Sequence, residues 1–91
     1  MTAPSTCWYL YLIECEGGTL YAGITTDVAR RFAQHVSGKG ARYTRSHRPI
    51  RLVGFQLCAS KSAALKAEIA LKKLPKAMKV DALLNPSAPA E

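Results

Sequence analysis

Trp8-Tyr9-Leu10-Tyr11-Leu12-Ile13-Glu14-Cys15, then Glu16-Gly17-Gly18, then Thr19-Leu20-Tyr21-Ala22-Gly23: the pairing of these residues decides the fold. Cys7 to Cys15 is rich in aromatic and aliphatic residues and reads as a central strand. Side chains alternate along a strand, so Tyr9, Tyr11, Ile13 and Cys15 share one face. Trp8, Leu10, Leu12 and Glu14 share the other. The glycines mark a hairpin, and its loop length fixes the register. A two-residue loop, Gly17-Gly18, would set Tyr21 opposite Glu14, across the sheet from Tyr11. A three-residue loop, Glu16-Gly17-Gly18, sets Cys15 opposite Thr19 and Ile13 opposite Tyr21. Tyr11 and Tyr21 then become diagonal neighbours on one face. The second register is expected, because a three-residue loop wants a left-handed residue and either glycine supplies one.

A helix follows the hairpin. Thr25 or Thr26 is expected as its cap, with Asp27 on the positive end of the helix dipole. It should run to about Ser37 and stop at Gly38. Val28, Phe32 and Val36 recur every four residues and should face the core. Arg31 and His35 are also four apart and share a face bordering that stripe.

Residues 38–49 read Gly-Lys-Gly-Ala-Arg-Tyr-Thr-Arg-Ser-His-Arg-Pro. This is too polar for core and too glycine-rich for a stable helix, so a long loop is expected. Lys39, Arg42, Arg45 and Arg48, with Tyr43 as a stackable ring, suit a nucleic-acid backbone. Another strand is expected over 50–59, then a helix from Lys61 to about Leu74 capped by Ser60. Pro75 separates it from a last short helix over 76–84. A flexible N-terminus over 1–6, one domain over 7–84 and a disordered tail over 85–91 complete the expected organisation. The fold class is α+β: a central three-stranded antiparallel sheet flanked by helices, in the order β-β-α-β-α-α.

Composition narrows the function. Ninety-one residues suit one domain with one core. At 48% apolar residues the chain is not a disordered one. No apolar run approaches the length a membrane helix needs, and no basic-then-apolar leader opens the chain, so a cytoplasmic protein without a membrane partner is expected. Cys7, Cys15 and Cys58 fit buried reduced thiols, and their spacing makes no zinc site. Thirteen basic against six acidic residues give a formal charge of +7, which favours a polyanionic partner. Glu68 is the odd residue of the lysine-rich helix. Leu65 and Leu71 lie three positions to either side, so its carboxylate needs a partner, which Lys72 at i+4 could supply.

Tyr9-Leu10-Tyr11, then Tyr21-Ala22-Gly23 ten positions after Tyr11, Arg31 ten further, His35 and a helical Glu68 together resemble the GIY-YIG nuclease superfamily. The likeness is greatest to its small single-domain, UPF0213-type members and covers about Trp8 to Leu84. It implies hydrolysis of a phosphodiester with one divalent metal ion, Mg²⁺ or Mn²⁺. It makes Tyr11, Tyr21, Arg31, His35 and Glu68 the catalytic residues, with Glu68 as the metal ligand. Tyr9 and Ala22 depart from the family pattern. Ile24 stands where some relatives carry a lysine, and Lys39, Lys72 or Lys73 are the candidates to replace that charge. Either Tyr11 or Tyr21 could act as base. His35 could assist that tyrosine or hold the phosphate. The implied substrate is DNA, whether branched, damaged or single-stranded. A nucleic-acid-binding module without catalysis is the main alternative, and it would make both tyrosines structural.

Overall fold

The computed structural model describes residues 7–85. The expectations for 1–6 and for the tail beyond Asn85 lie outside the described residues. Strand β1 (Trp8–Cys15) runs between β2 (Thr19–Thr25) and β3 (Pro49–Cys58) in an antiparallel sheet of order β2-β1-β3. The hairpin adopts the three-residue loop: Cys15 pairs with Thr19 and Ile13 with Tyr21. Both loop glycines take positive φ, 84° at Gly17 and 75° at Gly18, where a side chain would be strained.

Central placement explains why β1 is apolar on both faces. Leu10 and Leu12 join Ala22, Leu71 and Leu83 in one core beneath helices α3 (Lys61–Lys72) and α4 (Lys76–Leu84). Tyr11, Ile13 and Cys15 form a second core with Val28, Phe32, Tyr43 and Leu52, on the side of helix α1 (Val28–Val36). Leu12 and Ile13 are fully buried, and each contributes about 1.5–3 kcal/mol by its burial.

Four local expectations are corrected. The cap of α1 is Asp27, whose carboxylate accepts from the Arg30 N–H at 3.1 Å. Thr25 sits outside, its hydroxyl accepting from the Asp27 N–H. Val36 is exposed, and the residue α1 buries most deeply is His35. Residues 38–49 are not simply a loop: Arg42–Ser46 form a one-turn helix, α2. Its ordering comes from contacts that propensity ignores. Tyr43 and His47 stack one turn apart with ring centroids 4.3 Å apart, and Tyr43 also stacks on Tyr21 at 5.8 Å. Finally, Cys7 is exposed, although Cys15 is buried and all three thiols are free.

Ser60 caps α3 as expected, accepting from the Ala63 N–H at 3.1 Å. At the other end, Lys79 of α4 donates to the carbonyls of Lys72 and Leu74. That satisfies acceptors which the end of a helix leaves unpaired, and it ties α4 to α3.

Candidate active site

Tyr11 Oη lies 2.9 Å from His35 Nε2, with both residues only 1–2% exposed. Strand β1 aims the phenol toward α1, and β2 makes room for it. A Cβ on Gly23, the partner of Tyr11 across the ladder, would stand 2.5 Å from Tyr11 Oη and 2.7 Å from its Cζ. Glycine is therefore required here by close approach, its φ being ordinary. His35 is hemmed in likewise: a Cβ on Gly40 would collide with its Nδ1 and stand 2.9 Å from its Cα.

Hydrogen bonding sets the imidazole tautomer. His35 Nδ1 is 2.7 Å from Thr44 Oγ1, and the Thr44 hydroxyl donates to the Ala41 carbonyl at 2.9 Å. Thr44 has one proton, so having given it to Ala41 it accepts from the Nδ1–H of His35. Nε2 then presents a lone pair, and the Tyr11 hydroxyl donates to it. The opposite tautomer would exchange the 2.9 Å bond for a 3.4 Å one from the Ala41 N–H. Both imidazole nitrogens are engaged, so neither is left to hold a phosphate.

Electrostatics keep the pair neutral at rest. The Tyr11 phenol is pushed up to about 12, chiefly by burial. Tyr21 and Glu68 add to the rise, while the nearby Arg31 guanidinium opposes it. His35 lies below its ordinary value, first because burial disfavours the imidazolium and second because Arg31 is cationic. Arg31 itself is half-buried and donates from Nη1 to Gln34 Oε1 at 3.0 Å, which fixes the guanidinium from behind.

The other residues singled out in the sequence divide. Tyr21 packs against Tyr11 at 6.4 Å and against His35 at 5.2 Å between ring centroids. The Glu68 side chain is 18% exposed, close enough for its charge to act on Tyr11. It also pairs with Lys72 Nζ at 3.0 Å, the i+4 partner the sequence offered. Lys39, Arg42, Arg45 and Arg48 are all exposed. Arg45 and Arg48 line a groove with His35 and Thr44, on the far side of the imidazole from Tyr11. Tyr43 is no free stacking platform, because it is half-buried against Tyr21 and His47. Of the three lysines proposed to replace a charge at Ile24, Lys72 is the one that touches Glu68. Sequence reasoning missed Thr44, Gly40 and Gln34. A lone threonine or glutamine in polar surroundings carries no signal, and Gly40 shows its purpose only beside the ring.

Among the described residues no group of three or more His, Cys, Asp or Glu could cage a metal ion. A divalent ion such as Mg²⁺ does not need one, since it keeps several waters and takes one carboxylate together with substrate phosphate oxygens. Glu68, partly exposed beside Tyr11, fits that donor set.

A hairpin that brings two tyrosines together, backed by an arginine and histidine one turn apart and a carboxylate from a later helix, defines a class. The model of the GIY-YIG catalytic domain matches residues 7–81, and the chain belongs to the GIY-YIG family, whose members are in general endonucleases. Within it, the chain is 63% identical over 73 residues to a UPF0213 protein of Cupriavidus pinatubonensis, covering 80% of this chain and 81% of that one. It is 61% identical over 79 residues to a UPF0213 protein of Cupriavidus necator, covering 87% and 85%. The solution NMR structure of a UPF0213 protein from Bacillus halodurans is similar at 41% identity and a TM-score of 0.53, covering 91% of this chain and 88% of that one. A second NMR structure, of an E. faecalis protein, is similar at 32% identity and a TM-score of 0.61, covering 99% and 96%. No helix among the described residues is long and apolar enough to cross a membrane.

Proposed function

We propose that this chain is a cytoplasmic DNA endonuclease that hydrolyses phosphodiester bonds with one Mg²⁺ or Mn²⁺ ion per site. The observation that carries the reading is the buried Tyr11–His35–Thr44 chain, with Arg31 and Glu68 beside its phenolic end. Burying three polar side chains is costly unless each is satisfied, and here each is. The arrangement moves a proton inward. Tyr11 accepts a proton from the attacking water as it passes its own to His35 Nε2. Thr44 holds the imidazole so that the receiving nitrogen faces the phenol. Releasing a proton from Tyr11 to bulk solvent at neutral pH would be hard with a phenol near 12. In the relay the phenol never stands as a free phenolate, because it gains the water proton as it gives its own to the imidazole.

Arg31, always charged and forked, binds two phosphate oxygens and favours the ionised phenol. Glu68 would hold the divalent ion, which when bound supplies charge stabilisation at the phosphate. Tyr21, whose hydroxyl makes no hydrogen bond to the imidazole, serves the site by packing against Tyr11 and His35. The exposed Lys39, Arg42, Arg45 and Arg48 give a cationic surface for the backbone of DNA. A surface of this size has little room to read base edges, so recognition follows the shape of branched, damaged or single-stranded DNA and not a long sequence.

The test is a panel of differently shaped DNA substrates, each with metal and with chelator. Metal-dependent cleavage by the parent and none by Glu68→Ala, with DNA binding retained by both, is the expected result. Salt-sensitive binding by the parent with no cleavage of any substrate would make the chain a binding module. Equal cleavage by both proteins would assign the activity to a contaminant.

A further inference from the structure

Glu68 and Lys72 stand one turn apart on α3 with their charges 3.0 Å apart. The two are unequally placed. The Glu68 side chain is 18% exposed and near enough for its charge to act on Tyr11, whereas Lys72 is 53% exposed. Lys72 also forms a wall of a groove with Tyr21, Ala22, Tyr43 and Lys79, along the β2 edge of the sheet. The Lys79 ammonium is tethered to the carbonyls of Lys72 and Leu74, so it cannot serve that groove freely. Glu68 is the only side-chain partner of the Lys72 ammonium among the described residues. An acid placed four residues before a lysine is the favourable order in a helix, yet such a pair is weak and half-hydrated. A divalent cation competing for the same carboxylate would break it.

We propose that Lys72 is an exchangeable latch on Glu68: its ammonium holds the carboxylate until a divalent cation takes it, and then swings into the groove beside Tyr21 and Tyr43 to meet a substrate phosphate. This rests on Glu68 being the metal ligand. Two consequences follow from one charge. While latched, Lys72 opposes cation binding by competition and by like-charge repulsion. Once released, it adds a phosphate contact that the resting protein lacks.

The full-length chain tests this directly. Lys72→Met keeps the aliphatic stem along α3 and removes the charge. Mn²⁺ binding without DNA, read by electron paramagnetic resonance of the free ion, should tighten about threefold or more in Lys72→Met. Lys72→Arg, which preserves the charge, should stay near the parent. With Ca²⁺ present, the salt dependence of oligonucleotide affinity should fall by about one phosphate contact in Lys72→Met. Unchanged or weaker Mn²⁺ binding, or an unchanged salt slope, overturns the latch. Glu68→Gln separates the two readings. If it binds Mn²⁺ as the parent does, the proposed metal site itself fails, whatever Lys72 does. If it loses Mn²⁺ while Lys72→Met gains nothing, the latch alone fails.

Discussion

Tyr11 of β1 and His35 of α1, twenty-four residues apart in the chain, meet through a 2.9 Å hydrogen bond in the interior of the protein. Two glycines make the meeting possible. Gly23 leaves space beside the phenol, and Gly40 leaves space beside the imidazole. The proposed proton transfer needs such a buried polar pair, with the charges of Arg31 and Glu68 near enough to act on the phenol.

The pH profile should carry the signature of this pair. His35 has a folded value below its ordinary one, so its contribution to stability is present above about 6.5 and is lost as pH falls through the lower folded value. Tyr11 has a folded value raised to about 12 from 10.0, so its contribution is present below about 10 and is lost as pH rises toward 12. Thermal melts across pH should therefore fall off on both sides. Cleavage should lose activity on the acid side as pH falls through the lowered folded value of His35, where the ring becomes protonated and can no longer accept. NMR titration of the His35 ring checks the assignment; a midpoint at or above 6.5 would contradict it.

Gly23→Ala should be far worse than its one methyl group suggests. The new Cβ would press on the Tyr11 phenol at 2.5 Å from its oxygen, so the ring must leave His35 or β2 must bend away. Overpacking of this kind costs about 1–3 kcal/mol. Cleavage should drop by more than the loss of folded protein accounts for. Unfolding curves and rates measured on the same preparation decide; an active, fully stable variant would show that the phenol does not need its present position.

The hairpin register was legible in the sequence because one loop length sets Ile13 opposite Tyr21 and another does not. The apolar run of β1 likewise announced a central strand. The candidate site was legible in part. Tyr11, Tyr21, Arg31, His35 and Glu68 could be named, but the two tyrosines could not be told apart. What distinguishes them is the hydrogen bond to His35 Nε2, made by Tyr11 across the fold, which spacing does not encode. Helix α2 escaped for a related reason. Glycines at 38 and 40 and a run of polar residues weigh against a helix, yet Thr44 is anchored on His35 and Tyr43 on Tyr21. The same contacts turn Tyr43 inward and leave the neighbouring arginines outside.

Those exposed arginines should contribute charge without shape. Arg45→Ala and Arg48→Ala should each weaken DNA binding by a similar factor for every substrate and lower the salt slope by about one. Melting temperatures should stay near the parent value, since both side chains are solvated. Affinity measured against salt for two substrate shapes is the check. A loss confined to one shape would give these residues a recognition role instead.

Removing one oxygen atom tests the whole account. Tyr11→Phe keeps the ring in the core and deletes the hydroxyl that donates to His35. Cleavage rate with Mg²⁺ should fall by about a hundredfold or more, the usual scale for losing a positioned acid–base group, while DNA affinity remains that of the parent. A Tyr11→Phe variant that cuts as fast as the parent would contradict the claim that this phenol moves the proton.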